Sequence, residues 1–352
     1  MELSFDIDIL HQRCTRLPRL AGLAHGEFQV LRRKGTSNDH VRLGESGLVA
    51  RVPRFSHGGF DAATNLSRQA AAFAHAAPSG HTPALFDTLP NGDGLPGGAL
   101  IVEFIDGRAP RLPGDMAAIA QALAALHTLP VPPPAQCEPL PCAADPVAAT
   151  LEAIERHAVC LPALFQSDAG LDAASLAALD ADIDWARGFA ATAMPNLPPR
   201  FVGADTHPGN FLIDGDGKAW FVDLEKAHYG AVPIDLAHAS LPTSTGWDPD
   251  VAGSLSDDDI RAFYAGYLSR VGAPFAAELA PWLLPMRRLT WLRTMTFLAR
   301  WRVDWSHNPD AGSRDPDMDR HIAAHIAHCF AAETIAATRR EWRDPDIRRP
   351  AG

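Results

Sequence analysis

Short apolar runs bounded by turn residues dominate roughly the first hundred positions, and apolar residues at three- and four-residue spacing dominate the rest. The first pattern predicts strands at 28–33, 41–43, 48–53, 83–86 and 98–104. Polar residues 34–39 turn the first strand into the second, and the Gly-rich stretch 91–98 joins the last two. One helix interrupts this series over 63–76, with Leu66, Ala70 and Phe73 on one face. Beyond it the spacing predicts helices over 115–127, with Met116, Ile119, Leu123 and Leu126 in a stripe, and over 147–159, 173–194, 260–271 and 281–305. Residues 129–146 hold seven prolines. Each proline fixes φ and removes a backbone donor, so this stretch reads as a long surface loop and not as a regular helix.

The helix-rich part is broken once by strand signals. Apolar Phe201 and Val202 lead into the turn-rich Asp205-Thr206-His207-Pro208-Gly209-Asn210, followed by apolar Phe211-Leu212-Ile213. Two Asp-Gly pairs at 214–217 then separate this run from Ala219-Trp220-Phe221-Val222, which ends at Asp223. Asp-Gly between apolar runs is a hairpin signal. A hairpin brings Asn210, before its first strand, and Asp223, after its second, to the same side. Both carry hard oxygens that can reach one Mg²⁺, an ion that takes only one or two ligands from protein. Asp205 stands five residues before Asn210, the spacing of base and metal ligand in kinase catalytic loops. Phosphoryl transfer rests on positioning and charge neutralisation, and these residue types supply both.

With Asp205, His207, Pro208, Asn210, Val222, Asp223, Glu225, Asp235, Leu236 and Ala237, the segment resembles the catalytic and metal loops of the aminoglycoside phosphotransferase and choline kinase-like family. Those proteins are small-molecule relatives of the protein kinases. The family pattern runs His-Gly-Asp-x-His-Pro-x-Asn, an apolar hairpin, Ile-Asp-x-Glu and a later Asp-Leu-Ala; its leading His and Gly are Gly203 and Ala204 here. The resemblance implies a kinase-like α+β fold of two lobes, with a small antiparallel-sheet lobe over 1–104 and a larger, mainly helical lobe over 105–352. It implies Asp205 as catalytic base and Asn210 and Asp223 as Mg²⁺ ligands. Ser37 and Asn38 fall in the loop that covers the nucleotide phosphates, and Arg51 takes the place of the phosphate-binding Lys. Gln69 stands where that Lys has its Glu partner, with its carbonyl oxygen as the remaining acceptor. The backbone of Glu103 and Ile105 falls at the adenine-binding hinge. Asp235 is expected to brace the loop that carries Asp223.

The implied activity is transfer of the γ-phosphate of ATP, or of GTP in its place, to a hydroxyl of a small molecule such as an amino alcohol or amino sugar. Gly203, Arg51 and Gln69 are the departures that a nucleotide-binding regulator without turnover would show. The joint presence of Asp205, Asn210 and Asp223 favours the enzyme.

Composition adds boundaries to this picture. At 352 residues, 47% hydrophobic and 21% charged, the chain has ordinary globular proportions and enough length for a large core. A net charge of −11 disfavours nucleic acid and anionic membranes and leans toward a cationic acceptor. No run reaches the ~20 apolar residues that span a bilayer. The acidic start Met1-Glu2-Leu3-Ser4-Phe5-Asp6 lacks the order of an export signal. Five dispersed cysteines fit a reducing cytoplasm, with no bridge expected between Cys137 and Cys142. Nothing in the sequence fixes an oligomeric state.

Two further clusters have bland readings. Ser256 followed by Asp257, Asp258 and Asp259 reads as a helix N-terminus, which accounts for this acidic run better than a cationic acceptor site with Trp247, Asp248 and Asp250. His321, His325 and His328 share a helical face without the Glu of a zinc protease, and read as the polar side of a packing helix.

Overall fold

In the computed structural model of the protein, described over residues 3–32, 37–56, 59–142, 145–166, 172–193, 197–307 and 316–343, side-chain alternation organises the first part of the chain. Strands β1 (Phe28–Val30), β2 (Asn38–Leu43), β3 (Leu48–Pro53), β4 (Leu85–Leu89) and β5 (Ala99–Glu103) form one antiparallel sheet in the order β1-β2-β3-β5-β4. Central β3 is buried along its whole length, and because successive side chains point to opposite faces it feeds two cores at once. Leu48, Ala50 and Val52 join Val41, Leu43, Ala99 and Ile101 in one cluster, while Val49 joins Leu100 and Val102 in the other.

Helix α1 (Ile7–Cys14) covers the first face with Leu10 and Cys14, and α2 (Ala62–Ala76) covers the second with Leu66 and Phe73. Apolar spacing does not predict α1, although its start signal is present. Asp6 caps it by accepting from the amides of Asp8 and Ile9. Strand β2 begins at Asn38, so Asn38 and Asp39 are strand residues and not part of the expected turn. Residues 34–36 of that turn, and Arg33 of the predicted first strand, lie outside the described residues.

Past β5 the chain stays attached to both parts of the molecule. The Phe104 amide donates to Gly47 O at 2.9 Å, and Arg108 then exchanges backbone bonds of 2.9 and 2.8 Å with Ile213. The remainder is mainly helical: α3 (Met116–His127), α4 (Pro146–Ala158), α5 (Leu161–Gln166), α6 (Ala173–Thr192), α7 (Val232–Ser240), α8 (Pro242–Thr245), α9 (Asp257–Arg270), α10 (Ala273–Leu279), α11 (Leu283–His307), α12 (Pro316–Phe330) and α13 (Ala332–Arg340). Four short strands break this series, β6 (Arg200–Val202), β7 (Phe211–Ile213), β8 (Ala219–Phe221) and β9 (His228–Gly230), with β6 paired to β9 and β7 to β8. The predicted hairpin is thus present. Asp214 closes its turn by accepting from the amides of Asp216 and Lys218 and from the Trp220 indole.

Helix α3 buries the predicted stripe and also Ala120, Ala122 and Ala124. Its small residues allow close packing against α9 and the β6 and β8 strands. The proline-rich loop is anchored through Pro141 O, which accepts the Tyr229 amide at 2.8 Å. Ser256 and Asp259 form a capping box at the start of α9, so the acidic run there is a helix N-terminus. His321 and His325 do not form a polar face. Their Nε2 atoms lie 2.9 Å from Gly246 O and 3.0 Å from Thr243 O, with His325 buried beside α8 and His328 exposed. Among the described residues, no cluster of three His, Cys, Asp or Glu suits a metal, and no helix is long and apolar enough to cross a membrane. The five cysteines are free.

Opposite Arg51 in the sheet stands His40, whose pKa burial and the Arg51 charge push down to about 3. The unfolded chain binds a proton near pH 6.5 that the folded one refuses, so this residue lowers stability as pH falls below 6.5. Urea unfolding of wild type and His40→Gln is expected to show the variant losing less stability between pH 7.5 and 5.5, by about 1.4 kcal/mol. Parallel pH profiles for the two proteins contradict the assignment.

Candidate active site

Strand β6 delivers the chain to Gly203, Ala204 and Asp205, and α7 shapes this loop from behind. Asp235 on α7 is fully buried. Its carboxylate accepts from the Gly203 amide at 2.7 Å and the Ala204 amide at 2.8 Å, and its carbonyl accepts from Thr206 Oγ1 at 2.7 Å. His127 Nε2 approaches the same carboxylate at 3.1 Å, and His127 Nδ1 lies 2.9 Å from the Tyr267 hydroxyl. Since a carboxylate only accepts, His127 donates to it from Nε2, and its Nδ1 is paired with the Tyr267 hydroxyl. Asp235 therefore braces the loop that carries Asp205 and not, as the sequence reading has it, the loop that carries Asp223.

These bonds hold an unfavourable backbone. Ala204 has φ 60, the one positive φ outside glycine among the described residues, at a cost of about 1–2 kcal/mol. Gly203 is required for a different reason. A Cβ there would stand 2.6 Å from Phe221 Cε1 and 2.9 Å from Thr206 Cγ2, so the Phe221 ring occupies the room that a His at this position needs.

A short 3₁₀ turn, Pro208–Asn210, carries the chain from Asp205 into β7. Asn210 Nδ2 donates to Asp205 O at 2.7 Å, and Asn210 O accepts the Val222 amide at 3.0 Å. The hairpin thus brings Asp205, Asn210 and Asp223 together. Asn210 Oδ1 and the second carboxylate oxygen of Asp223 accept no hydrogen bond from the described residues. This pair of hard oxygens fits Mg²⁺, which requires few protein ligands.

Cations from two different elements meet these carboxylates. Arg51 of β3 donates from Nη2 to Asp223 Oδ1 and from Nη1 to Val222 O at 3.1 Å, with Glu225 Oε2 at 3.9 Å from Nη2. It does not turn to Gln69, whose buried Oε1 has no hydrogen-bond partner among the described residues, as Arg51 Nε has none. Asp223 is accordingly not the unpaired carboxylate that its position at a strand end implies. Asn38 Nδ2 donates to Glu225 Oε2 at 2.8 Å, and Ser37 is buried with its carbonyl accepting the Arg54 amide at 2.8 Å. Glu103 ends β5 with Oε2 3.2 Å from the Ala84 amide, and Ile105 is buried next to it.

Lys226, which the sequence analysis does not single out, places Nζ 2.5 Å from Asp205 Oδ2. His238 of α7 is a second missed neighbour, with Nε2 3.8 Å from Asp205 Oδ1. Burial alone would raise the Asp205 carboxyl, but the Lys226 charge, joined by His207 and His238 where those rings are protonated, outweighs it and holds the group well below the usual carboxylate range. Burial and the Glu225 charge raise Asp223 against the pull of Arg51. Burial lowers His207, and it pushes His238 down to about 3, so both rings are neutral at neutral pH. The one signal for Lys226 was its place directly after Asp-x-Glu. Asp248 is buried, packs against Gly209 and accepts the Asp250 amide at 2.8 Å.

Residues 29–272 match the model of the phosphotransferase enzyme family. No curated protein sequence matches the chain. Among solved structures, a choline/ethanolamine kinase family protein from Mesorhizobium loti aligns with TM-score 0.53 and 19% identity over 91% of this chain and 98% of its own. Choline kinase from Cryptosporidium parvum aligns with TM-score 0.58 and 14% identity over 97% and 98%. A spectinomycin phosphotransferase in complex with ADP and spectinomycin gives TM-score 0.58 and 14% identity over 91% and 93%. At these identities the likeness establishes the protein kinase-like fold, a small antiparallel sheet followed by a mainly helical part.

Gly203→His is expected to lower stability by about 1–3 kcal/mol, the range for overpacking. Combining it with Phe221→Ala should cost less than the two single losses added together, because the truncated ring vacates the space. Additive losses in urea unfolding would mean that Phe221 does not exclude the His.

Proposed function

The chain belongs to the phosphotransferase enzyme family, and we propose that it transfers the γ-phosphoryl group of ATP to a hydroxyl of a small molecule. The observation that carries this reading is the joining of Asp205, Asn210 and Asp223 by the Asn210–Asp205 and Val222–Asn210 hydrogen bonds. Asp205 acts as base for the acceptor hydroxyl, and its low proton affinity suits a group ionised at neutral pH. Asn210 Oδ1 and Asp223 hold Mg²⁺, which neutralises charge on the phosphates when bound.

Arg51 is the phosphate-binding cation, with Ser37 and Asn38 at the phosphates. Its planar fork suits paired oxygens and is permanently charged. The Glu103 carbonyl and Ile105 amide meet the adenine edge. We divide the lobes after Phe104, where the chain leaves β5, giving a nucleotide-binding lobe over 1–104 and a helical lobe over 105–352.

Choline, ethanolamine and aminoglycoside kinases among the similar folds support an amino alcohol or amino sugar as acceptor. One similar fold is solved with GDP, which keeps GTP as an alternative donor. A second reading, a nucleotide-binding regulator of low turnover, draws on one observation: Asp205 and Asp223 are each already paired with a cation. The variants below separate the two.

Asp205→Asn should retain Mg·ATP affinity and lose about 10²-fold or more in turnover, the effect of removing a general base. An acceptor screen coupled to ADP release, followed by kinetics of the variant, measures this; wild-type turnover in the variant rules Asp205 out. Asp223→Ala should abolish the Mg²⁺ dependence of ATP binding in calorimetry, and an unchanged Mg·ATP affinity rules Asp223 out. Arg51→Ala should weaken ATP binding at least tenfold more than Gln69→Ala, because Gln69 makes no bond to Arg51.

A further inference from the structure

We propose that Lys226 is a catalytic residue whose ammonium holds one oxygen of Asp205 while touching the phosphoryl group in transit; this rests on the phosphotransfer reading above. An ammonium has three donors, and the 2.5 Å contact with Asp205 Oδ2 uses one of them. The Lys226 side chain is 34% exposed, so the remaining donors are open to a ligand. Asp223 and Glu225 also lie within its electrostatic reach. The charge therefore stands beside the interval between the proposed base and the proposed metal ligand, which the phosphoryl group must cross.

The contact also divides the two Asp205 oxygens by task. Lys226 holds Oδ2. The His238 ring, neutral at neutral pH, places Nε2 3.8 Å from Oδ1, beyond hydrogen-bond distance. Oδ1 is thus the atom left to take a proton. The acceptor oxygen forms its bond to the γ-phosphorus as its proton passes to Oδ1. The bond from the γ-phosphorus to the β,γ-bridging oxygen breaks, its electron pair leaves with ADP, and Lys226 stays protonated throughout. Without Lys226, the Asp205 carboxylate would face the anionic phosphoryl group with no cation bonded to it among the described residues: Arg51 is engaged at Asp223 and Glu225, and Arg293, within electrostatic reach of Asp205, donates to Ala204 O at 3.3 Å.

Residue choice agrees with this role. Only three of the 31 Lys and Arg residues in the chain are lysines, so a lysine here departs from a strong arginine bias. A compact ammonium can serve a carboxylate oxygen and a phosphoryl oxygen on different sides, which a planar guanidinium does less readily.

The test uses wild type, Lys226→Met, Lys226→Arg and Asp205→Asn in the full chain. Affinity for ADP with Mg²⁺ is measured with and without aluminium tetrafluoride, which mimics the phosphoryl group in flight, together with Mg·ATP hydrolysis using water as acceptor. Lys226→Met should bind ADP within about 3-fold of wild type, bind the fluoride complex about 10²-fold more weakly and lose about 10²–10³ in kcat at similar KM for ATP, as removal of a charge-stabilising donor does. Lys226→Arg should recover at least about tenfold of the kcat loss, because it keeps the charge. If Lys226→Met binds the fluoride complex like wild type, or loses ADP affinity in the same proportion, the assignment is overturned. Wild type that neither hydrolyses ATP nor prefers the fluoride complex overturns the phosphotransfer reading, and Lys226 with it. Turnover lost in Asp205→Asn but kept in Lys226→Met overturns the Lys226 role alone.

Discussion

The carboxylate of Asp235 is fully buried and spends its oxygens on the Gly203 and Ala204 amides and on His127. Buried charge without such donors costs several kcal/mol, so the fold must supply partners wherever it places this side chain. The donors it supplies are the backbone of the loop that presents Asp205. Satisfying one charge and shaping that loop are the same event. The positive φ of Ala204 persists because the Gly203 amide and the Ala204 amide itself are both held by the Asp235 carboxylate. Through His127 on α3 and Tyr267 on α9, the brace extends into the helical core, so the loop inherits the rigidity of packed helices.

A second constraint is electrostatic and joins the sheet to the helical part. Arg51 leaves β3 to reach Asp223 and Val222, and Asn38 leaves β2 to reach Glu225. Both side chains start on strands fixed by the antiparallel register. The position of the cation relative to the hairpin is therefore set by sheet pairing and not by a flexible loop. The Arg108–Ile213 backbone bonds add a third link, tying the segment after β5 to the same hairpin. The site stands where these links converge.

Much of this was legible because it is local. The hairpin at 211–221 is written in its Asp-Gly turn, where Asp214 folds back onto amides two and four residues ahead. Helix α9 announces itself through Ser256 and Asp259. Strand β3 and helices α2 and α3 follow their apolar spacing within a residue or two. Helix α1 carries a start signal in Asp6 and buries Leu10 and Cys14, but at eight residues it is too short for apolar spacing alone to reveal it. Strand β9 gave no signal of its own, since its partner β6 lies more than twenty residues away and neither strand exceeds three residues.

The sequence by itself determined the order of β1 to β5, the helices α2, α3, α4, α6, α9 and α11, the hairpin, and the grouping of Asp205, Asn210 and Asp223, because those features depend on residues within reach of one turn or one covalent spacing. Tertiary structure alone decided which loop Asp235 braces, that Arg51 turns to Asp223 and leaves Gln69 Oε1 without a partner among the described residues, that Phe221 fills the space beside Gly203, and that Lys226 meets Asp205. Each of those contacts links side chains whose separation is fixed by how helices and sheet pack. Spacing along the chain says nothing of such distances. A buried polar atom finds its partner only after the surrounding elements have determined which donors and acceptors are near.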